Sequence, residues 1–202
     1  MIDAHIILFS KAPQPGLAKT RLIPALGVEG AARLAGRMLQ HAVEQAAATQ
    51  APVLELCVSP SPHDPVWQDV PLAAPVQWSA QGSGDLGDRM ARAAARVLER
   101  GSPVILLGSD CPSLETDRIR EAALLLQTHD VVINPASDGG YVLLGLNNFH
   151  PCIFEGIPWS TPGVCTITLE RLQYLGWHCA MLPELADIDE PSDLARLPEG
   201  WL

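Results

Sequence analysis

The stretch VILLGSDCP at residues 104–112 decides the fold. Its first four residues are the most apolar run of the chain, and a short apolar run followed by polar residues predicts a buried strand. Predicted strands and helices alternate through the first 135 residues. This alternation predicts right-handed crossovers and an α/β fold with a single Rossmann-like, mostly parallel mixed sheet.

Outward from this strand, hydrophobic periodicity predicts the remaining elements. The further strands are expected at 6–9, 52–59, 76–79, 130–134, 141–146 and 179–182. The helices are expected at 28–48, 85–100, 115–127 and 166–175, with a final helical turn at 192–197. No internal repeat or linker divides the chain, so residues 1–202 are expected to form one domain.

Composition excludes several classes of protein. The chain is 48% hydrophobic and has a net charge of −10, which excludes general disorder and argues against a nucleic-acid partner. It has no apolar segment long enough for a membrane span and no basic leader at its start. Five scattered cysteines without a C-x-x-C pair fit a reducing compartment, so a cytoplasmic protein is expected. These features do not fix an oligomeric state.

A basic loop follows the first predicted strand. It contains both lysines of the chain, Lys11 and Lys19, together with Gly16, Thr20 and Arg21. Glycine lets backbone N–H groups approach an anion and the cations offset its charge, so these residues are predicted to bind nucleotide phosphates. The spacing is too short for a Walker A loop. The alternative is a solvated basic loop.

Asp110 is the candidate metal ligand. It follows the strand at 104–107, and ligands of open parallel sheets bind beyond the carboxyl ends of the strands. A carboxylate there, next to bound phosphates, fits Mg²⁺ or Mn²⁺. Asp187 or Asp189, which alternate in an extended segment, could supply the second carboxylate. The alternative for Asp110 is an N-cap of the helix predicted at 115.

The loop PASDGGY at residues 135–141 is a candidate acceptor site. Asp138 is predicted to bind a sugar hydroxyl or to activate an acceptor, with Gly139, Gly140 and Tyr141 around it. The plain alternative is a D-G turn between two strands.

A G-x-G-x-x-G pattern spans residues 82–87 and raises the alternative of a dinucleotide oxidoreductase. The segment before it is a poor buried strand, and Asp85 and Asp88 would place negative charge where a pyrophosphate must bind. We instead expect Gly82, Asp85 and Ser109 to contribute to a mononucleotide site.

Five motifs in chain order carry a resemblance to a known family. They are K-x-P-x-x-G-x-x-K-T-R-L at 11–22, G-x-G-D-L-G-x-R-M at 82–90, G-S-D-C-P at 108–112, D-G-G-Y-x-L-L-G-L at 138–146 and D-I-D-x-P-x-D-L at 187–194. They resemble bacterial glycosyltransferases of the GT-A, nucleotide-diphospho-sugar transferase fold. The basic loop is more similar to the phosphate-binding loop of molybdenum-cofactor and phospholactate nucleotidyltransferases.

The resemblance implies a metal on Asp110, joined by Asp187 or Asp189, and catalytic roles for Lys19, Asp110 and Asp138. The leading hypothesis is transfer of a glycosyl group from a nucleotide sugar to a small acceptor. The first alternative is nucleotidyl transfer from a nucleoside triphosphate to a phosphorylated acceptor, and the second is a nucleotide-binding accessory protein without turnover. Both transfer reactions require Lys19 and Asp110 to meet on one rim of the sheet, whereas the accessory protein would bind nucleotide without Asp110.

Overall fold

The computed structural model describes residues 2–202, which form a seven-stranded sheet flanked by helices. The strands are β1 (His5–Lys11), β2 (Val53–Ser59), β3 (Gln77–Ala80), β4 (Val104–Gly108), β5 (Val131–Pro135), β6 (Tyr141–Leu146) and β7 (Cys179–Met181). Their spatial order is β3-β2-β1-β4-β6-β5-β7. Only β6 runs antiparallel to its neighbours, so the predicted mostly parallel mixed sheet is confirmed.

The helices are α1 (Ile23–Ala48), α2 (Leu86–Leu98), α3 (Thr116–Leu125) and α4 (Val164–Tyr174). Short 3₁₀ turns lie at Thr20–Leu22, Pro65–Trp67, Pro151–Ile153 and Pro191–Arg196. The first helix begins five residues earlier than the sequence pattern predicts. Its first turn is separated from the rest by a kink at Gly27, where φ is 71°. No described helix combines the length and hydropathy of a membrane-spanning segment.

Strand β1 lies at the centre of the sheet and is buried on both faces. Ile6 and Leu8 pack on the side of α1 and α3, whereas Ile7 packs on the side of α2 and α4. All three side chains have no exposed surface. This two-sided burial explains why the sequence of β1 is an apolar run instead of an alternating pattern.

A buried polar network joins β1, β2 and β3 through Glu55. His5 Nε2 lies 2.9 Å from Glu55 Oε2, Arg96 pairs with the same carboxylate at 2.5 Å, and Ser79 also donates to it. Burial by itself would raise the pKa of Glu55, but the hydrogen bonds from His5, Arg96 and Ser79 prevail and lower it to about 2. Arg96 of α2 is therefore part of this network and does not only face solvent.

The carboxyl ends of β1, β4 and β5 meet at one edge of the sheet, where β6 also begins. The chain order reverses between β1 and β4, because β1 connects onward to β2 on one side and β4 leads toward β5 and β6 on the other. Such a switch point opens a crevice above the sheet. The loop after β1 and the residues that follow β4 are both placed at this crevice.

Candidate functional site

Lys19 lies at the centre of the crevice. It precedes the 3₁₀ turn of Thr20–Leu22 in a left-handed conformation, with φ 47°, and its side chain is only 8% exposed. Its Nζ is 3.1 Å from Asp110 Oδ2 and 2.6 Å from Asp189 Oδ1. The predicted meeting of Lys19 and Asp110 on one rim is therefore confirmed, whereas their catalytic roles remain predictions.

The ammonium of Lys19 is strongly held in its charged form. Burial by itself would lower the pKa of Lys19, but the carboxylates of Asp110 and Asp189 raise it above its ordinary value. Ser109 Oγ donates to Asp110 Oδ1 over 3.3 Å, which links the residue after β4 to the same cluster. The arrangement is a cation held between two carboxylates, one from the middle of the sequence and one from its last part.

The segment after β7 brings the late aspartates to the crevice. Ile188 is buried against Leu22 and Leu34, and its backbone N–H donates to the carbonyl of Asp110 over 2.9 Å. Because alternate residues of an extended segment share a side, burial of Ile188 leaves Asp187 and Asp189 on the outward side together.

The end of this segment is fixed by a carboxylate. Asp193 Oδ2 accepts hydrogen bonds from the backbone N–H groups of Asp189 and Glu190, at 3.1 and 2.8 Å. These two bonds cap the last turn, Pro191–Arg196.

A cavity of about 250 Å³ opens beside this cluster, above β4 and β6. Asp110, Asp138 and Asp187 line its polar side, and Phe9, Met90, Leu106, Val142 and Leu144 are among its apolar lining. Burial raises the pKa of Asp187, and the charges of Asp138 and Asp189 raise it further, to about 6. The cavity therefore has an acidic mouth and an apolar floor.

Asp138 is held in a tight turn at the mouth of this cavity. Its Oδ1 accepts a hydrogen bond from Gly140 N over 2.8 Å. Gly139 has φ 89°, and a Cβ there would lie 2.2 Å from the carbonyl oxygen of Pro162. The structure thus contains the D-G turn that the sequence offers as the plain alternative, and the same turn directs residues to the cavity.

Tyr141 and Trp159 form an aromatic wall of the cavity, with ring centroids 6.5 Å apart in an edge-on arrangement. The Tyr141 hydroxyl is buried without a hydrogen-bond partner among the described residues, and burial raises the pKa of this hydroxyl. Trp159 is a site residue that the sequence analysis missed, because it lies in an irregular segment without a motif.

The loop after β3 lies at the same edge of the sheet. Asp85 caps α2 by accepting a hydrogen bond from Asp88 N over 2.9 Å, and Gly82 has φ 77° next to Arg92. Gln81, another residue that the motifs do not include, donates from Nε2 to the carbonyls of Ser10 and Cys57. The side chain of Asp85 is therefore engaged in the helix cap, which leaves backbone groups of the loop for a nucleotide.

The other predicted phosphate-binding residues lie on the exposed side of the crevice. Lys11 at the end of β1, Gly16 with φ 77°, and Thr20 are all exposed. Arg21 is also exposed and pairs with Glu190 over 3.4 Å. These groups face solvent near Lys19 and are accessible to a ligand.

The carboxylates fit a hard divalent cation by their chemistry. Mg²⁺ binds through one or two carboxylates together with substrate phosphates, and Asp110 and Asp189 already converge on one cationic group, Lys19 Nζ. Over residues 2–202 there is no preformed cluster of three or more His, Cys, Asp or Glu that could hold a metal. Any cation would therefore share this position with Lys19 and take further ligands from bound phosphate.

Residues 38–161, more than half of the chain, match a protein family described as "Uncharacterized protein conserved in bacteria (DUF2064)". The chain belongs to the DUF2064 family. This family member superposes with a TM-score of 0.86 on a crystal structure from Desulfovibrio desulfuricans G20 that carries the provisional name nucleotide-diphospho-sugar transferase. The two are 33% identical, and the match covers 94% of this chain and 84% of that one.

A curated relative has a defined activity. It is the 3-phospho-D-glycerate guanylyltransferase of Phenylobacterium zucineum (strain HLK1), 32% identical over 120 residues. The alignment covers 55% of the DUF2064 chain and 51% of the relative, so the chain matches about half of that protein.

A more distant structure shows the same fold. It is a CMP:2-keto-3-deoxy-manno-octonic acid synthetase in complex with CTP, with 15% identity and a TM-score of 0.56 over 96% of each chain. Together the matches confirm a nucleotide-diphospho-sugar transferase type fold and a relation to nucleotidyltransferases. They support a transferase without supporting glycosyl transfer in particular.

Proposed function

We propose that this DUF2064 protein is a nucleotidyltransferase that couples a nucleoside triphosphate to a phosphorylated small molecule and releases pyrophosphate. The observation that carries this proposal is the contact of Lys19 Nζ with Asp110 Oδ2, 3.1 Å long, at the switch point between β1 and β4. This ion pair, which we assign to phosphate binding, lies beside a cavity with room for a second substrate. The guanylyltransferase activity of the curated relative supports the same reaction class.

The reaction is a displacement at the α-phosphorus. An oxygen of the acceptor phosphate forms a bond to that phosphorus, the bond to the bridging oxygen of the β-phosphate breaks, and pyrophosphate leaves with the electron pair. Negative charge grows on the leaving group, and preorganised cations at that place lower the barrier. Lys19 is the buried cation that pairs with Asp110, and Lys11 and Arg21 of the same loop are exposed to a ligand.

Nucleotide and acceptor are assigned to different sides of the crevice. The triphosphate is assigned to the loop of residues 11–22, with Gly16, Thr20 and Ser109 near the phosphates and the loop of Gly82 and Asp85 toward the base. The acceptor is assigned to the cavity above β4 and β6. Asp138, Gly139, Gly140 and Tyr141 would contact it there.

Mg²⁺ or Mn²⁺ is the proposed cofactor, held by Asp110 with Asp187 or Asp189. Bound there, it would supply a Lewis acid for phosphate oxygens. The chain's own residues supply the rest: Lys19 offsets phosphate charge, and the backbone bond from Ile188 to Asp110 keeps the aspartates together. The proposed donors, nucleoside triphosphates, are metabolites of the cytoplasm, and the cytoplasm is the compartment that the sequence predicts.

Glycosyl transfer is the second candidate, because the 33% identical structure carries the name of a nucleotide-diphospho-sugar transferase. It would use the same crevice with a nucleotide sugar as donor. A nucleotide-binding accessory protein without turnover remains the third candidate, and it predicts nucleotide binding that does not depend on Asp110.

The product released distinguishes these candidates. The purified protein is incubated with each nucleoside triphosphate and with nucleotide sugars, plus Mg²⁺ or Mn²⁺ and a mixture of phosphorylated acceptors. Pyrophosphate release supports the proposal, nucleoside diphosphate release supports glycosyl transfer, and neither product supports the accessory protein. Asp110→Asn is expected to abolish release, whereas Asp117→Asn, whose side chain is 94% exposed, is the matched control that retains it.

A further inference from the structure

The cavity that we assign to the acceptor is lined by negative charge. This is unexpected, because the curated relative is named for 3-phospho-D-glycerate, which carries both a phosphate and a carboxylate. Among the described residues that line it, the charged side chains are Asp110, Asp138 and Asp187, with no lysine or arginine. Lys19 is the nearest buried cation, and it is already paired with Asp110 and Asp189. A second anionic group on an acceptor would therefore meet carboxylates.

The proposed cofactor does not remove this repulsion. A divalent cation on Asp110 and either Asp187 or Asp189 balances the charge of two carboxylates, and Lys19 offsets phosphate charge of the bound triphosphate. Asp138 then still faces the cavity, and the acceptor's own phosphate must be accommodated near the same cluster. Like charges brought together in a binding site cost several kcal/mol, which is how binding sites exclude wrong ligands.

The remaining lining suits an uncharged ligand body. The floor is apolar, Tyr141 and Trp159 provide aromatic surface, and Ser160 and Thr161 bring hydroxyl groups. The cavity volume of about 250 Å³ is at the lower end of the range of small-molecule pockets, which favours a small ligand body. The free carboxylate oxygen of Asp138 is an acceptor for a ligand hydroxyl, since its Oδ1 is bonded to Gly140 N.

From this charge pattern, and resting on the proposed nucleotidyl transfer, we infer that the acceptor is a small phosphorylated alcohol without a carboxylate, and that Asp138 is the residue that excludes carboxylates. The acceptor phosphate attacks the α-phosphorus, while a hydroxyl of the acceptor donates to Asp138. The inferred acceptor thus lacks the carboxylate carried by 3-phospho-D-glycerate, for which the relative that this chain resembles over about half its length is named.

A pair of acceptors that differ in one group tests this inference. Glycerol 3-phosphate and 3-phospho-D-glycerate differ in that a CH₂OH group of the first is a carboxylate in the second. With wild-type protein, the preferred nucleoside triphosphate and Mg²⁺, kcat/KM from pyrophosphate release should favour glycerol 3-phosphate by about tenfold or more. Binding of both compounds is measured in parallel by calorimetry with a non-hydrolysable triphosphate analogue.

Variants of Asp138 provide the second arm. Asp138 is exposed but accepts the hydrogen bond from Gly140 N that holds the turn, so circular dichroism and thermal melting of each variant are compared with those of the wild type. Asp138→Asn should reduce the preference for glycerol 3-phosphate, and Asp138→Lys should shift it toward 3-phospho-D-glycerate. Asp117→Asn is the control for loss of one surface carboxylate and should leave the ratio unchanged.

The outcomes separate the inference from the proposed function. Equal use of both acceptors, or a wild-type preference for 3-phospho-D-glycerate, overturns the inference while pyrophosphate release still supports nucleotidyl transfer. Failure of both compounds to bind overturns the assignment of the cavity to a small phosphorylated alcohol. Release of nucleoside diphosphate from a nucleotide sugar instead overturns the proposed function and the inference with it.

Discussion

Lys19 Nζ lies 2.6 Å from Asp189 Oδ1, although the two residues are 170 positions apart in the chain. The same ammonium contacts Asp110 at 3.1 Å, so one buried lysine joins the loop after β1, the residue after β4 and the segment after β7. The ion pair of Lys19 and Asp189 thus joins the loop that we assign to the nucleotide to the segment that we assign to the divalent cation.

Removal of this ammonium should have opposite effects on the metal and on the nucleotide. In Lys19→Met, Asp110 and Asp189 lose their countercharge, so Mn²⁺ should bind the nucleotide-free protein at least about tenfold more tightly. Nucleoside triphosphate should bind more weakly, because a phosphate contact is lost. Electron paramagnetic resonance of free Mn²⁺ and calorimetry measure the two affinities.

The control for that experiment is Arg100→Met, which removes an exposed cation at the end of α2. It should change neither affinity. Unchanged Mn²⁺ affinity in Lys19→Met would show that Lys19 and the cation do not share the two carboxylates.

The buried carboxylate of Glu55 should make stability depend on pH. Its pKa is about 2 in the folded protein against an ordinary 4.5, so its contribution is complete above pH 4.5 and disappears as the pH falls through about 2. Glu55→Gln should therefore lower the free energy of unfolding by about 3 kcal/mol at pH 7. Below pH 2 the variant and the wild type should have similar stability.

Urea titrations monitored by circular dichroism at pH 7, 4 and 2 measure this difference. Glu99→Gln, at an exposed position, is the comparison and should have little effect at any pH. The electrostatic explanation would be contradicted if the difference in free energy of unfolding between the wild type and Glu55→Gln stayed constant from pH 7 to pH 2.

Gly139→Ala should destabilise the tight turn formed by residues 138–140. Two costs add at this residue: φ is 89°, and the new Cβ would lie 2.2 Å from Pro162 O. Gly101 has a similar φ of 79°, but no atom lies within 4 Å of a Cβ built there. Gly101→Ala therefore measures the cost of the backbone conformation without the cost of the close contact. We expect a loss of about 1 kcal/mol for Gly101→Ala and about 3 kcal/mol for Gly139→Ala.

Differential scanning calorimetry gives both values. Equal losses in the two variants would mean that contact with Pro162 contributes nothing, and that the turn could accept a side chain at this position.

Ile188→Ala should couple stability to binding. The side chain is 1% exposed and packs against Leu22 and Leu34, so its truncation should cost about 2–4 kcal/mol. It should also weaken triphosphate binding, because Asp187 and Asp189 are fixed through this residue. Leu126→Ala, another buried side chain, should cost similar stability without weakening the binding. Equal nucleotide affinity in the two variants would separate Ile188 from the site.

The sequence was sufficient for the sheet and for the central pair of the site. Apolar runs at β1 and β4 are local signals, and the rule for parallel sheets then places Lys19 and Asp110 on one edge. The antiparallel direction of β6 has a local signal in the D-G turn at residues 138–139, which the sequence offers only as an alternative, and the packing of Gly139 against Pro162 becomes visible only in the fold.

Other parts of the site depend on tertiary contacts that no spacing shows. Burial of Ile188 places Asp187 and Asp189 on one side, but the pairing of Lys19 with Asp189 instead of with Asp187 is seen only in the folded chain. Trp159 belongs to an irregular segment, and Gln81 acts through carbonyls of two other strands. Their roles become visible only when the strands are assembled.

The segment of residues 187–189 is bonded through Ile188 N to the carbonyl of Asp110, and this late contact has a consequence for biosynthesis. During translation the basic loop of residues 11–22 is made 167 or more residues before its carboxylate partner Asp189. A polypeptide that stops before Asp189 therefore carries Lys19 without this partner, and the ion pair forms only after the segment of residues 187–189 has folded past Asp110.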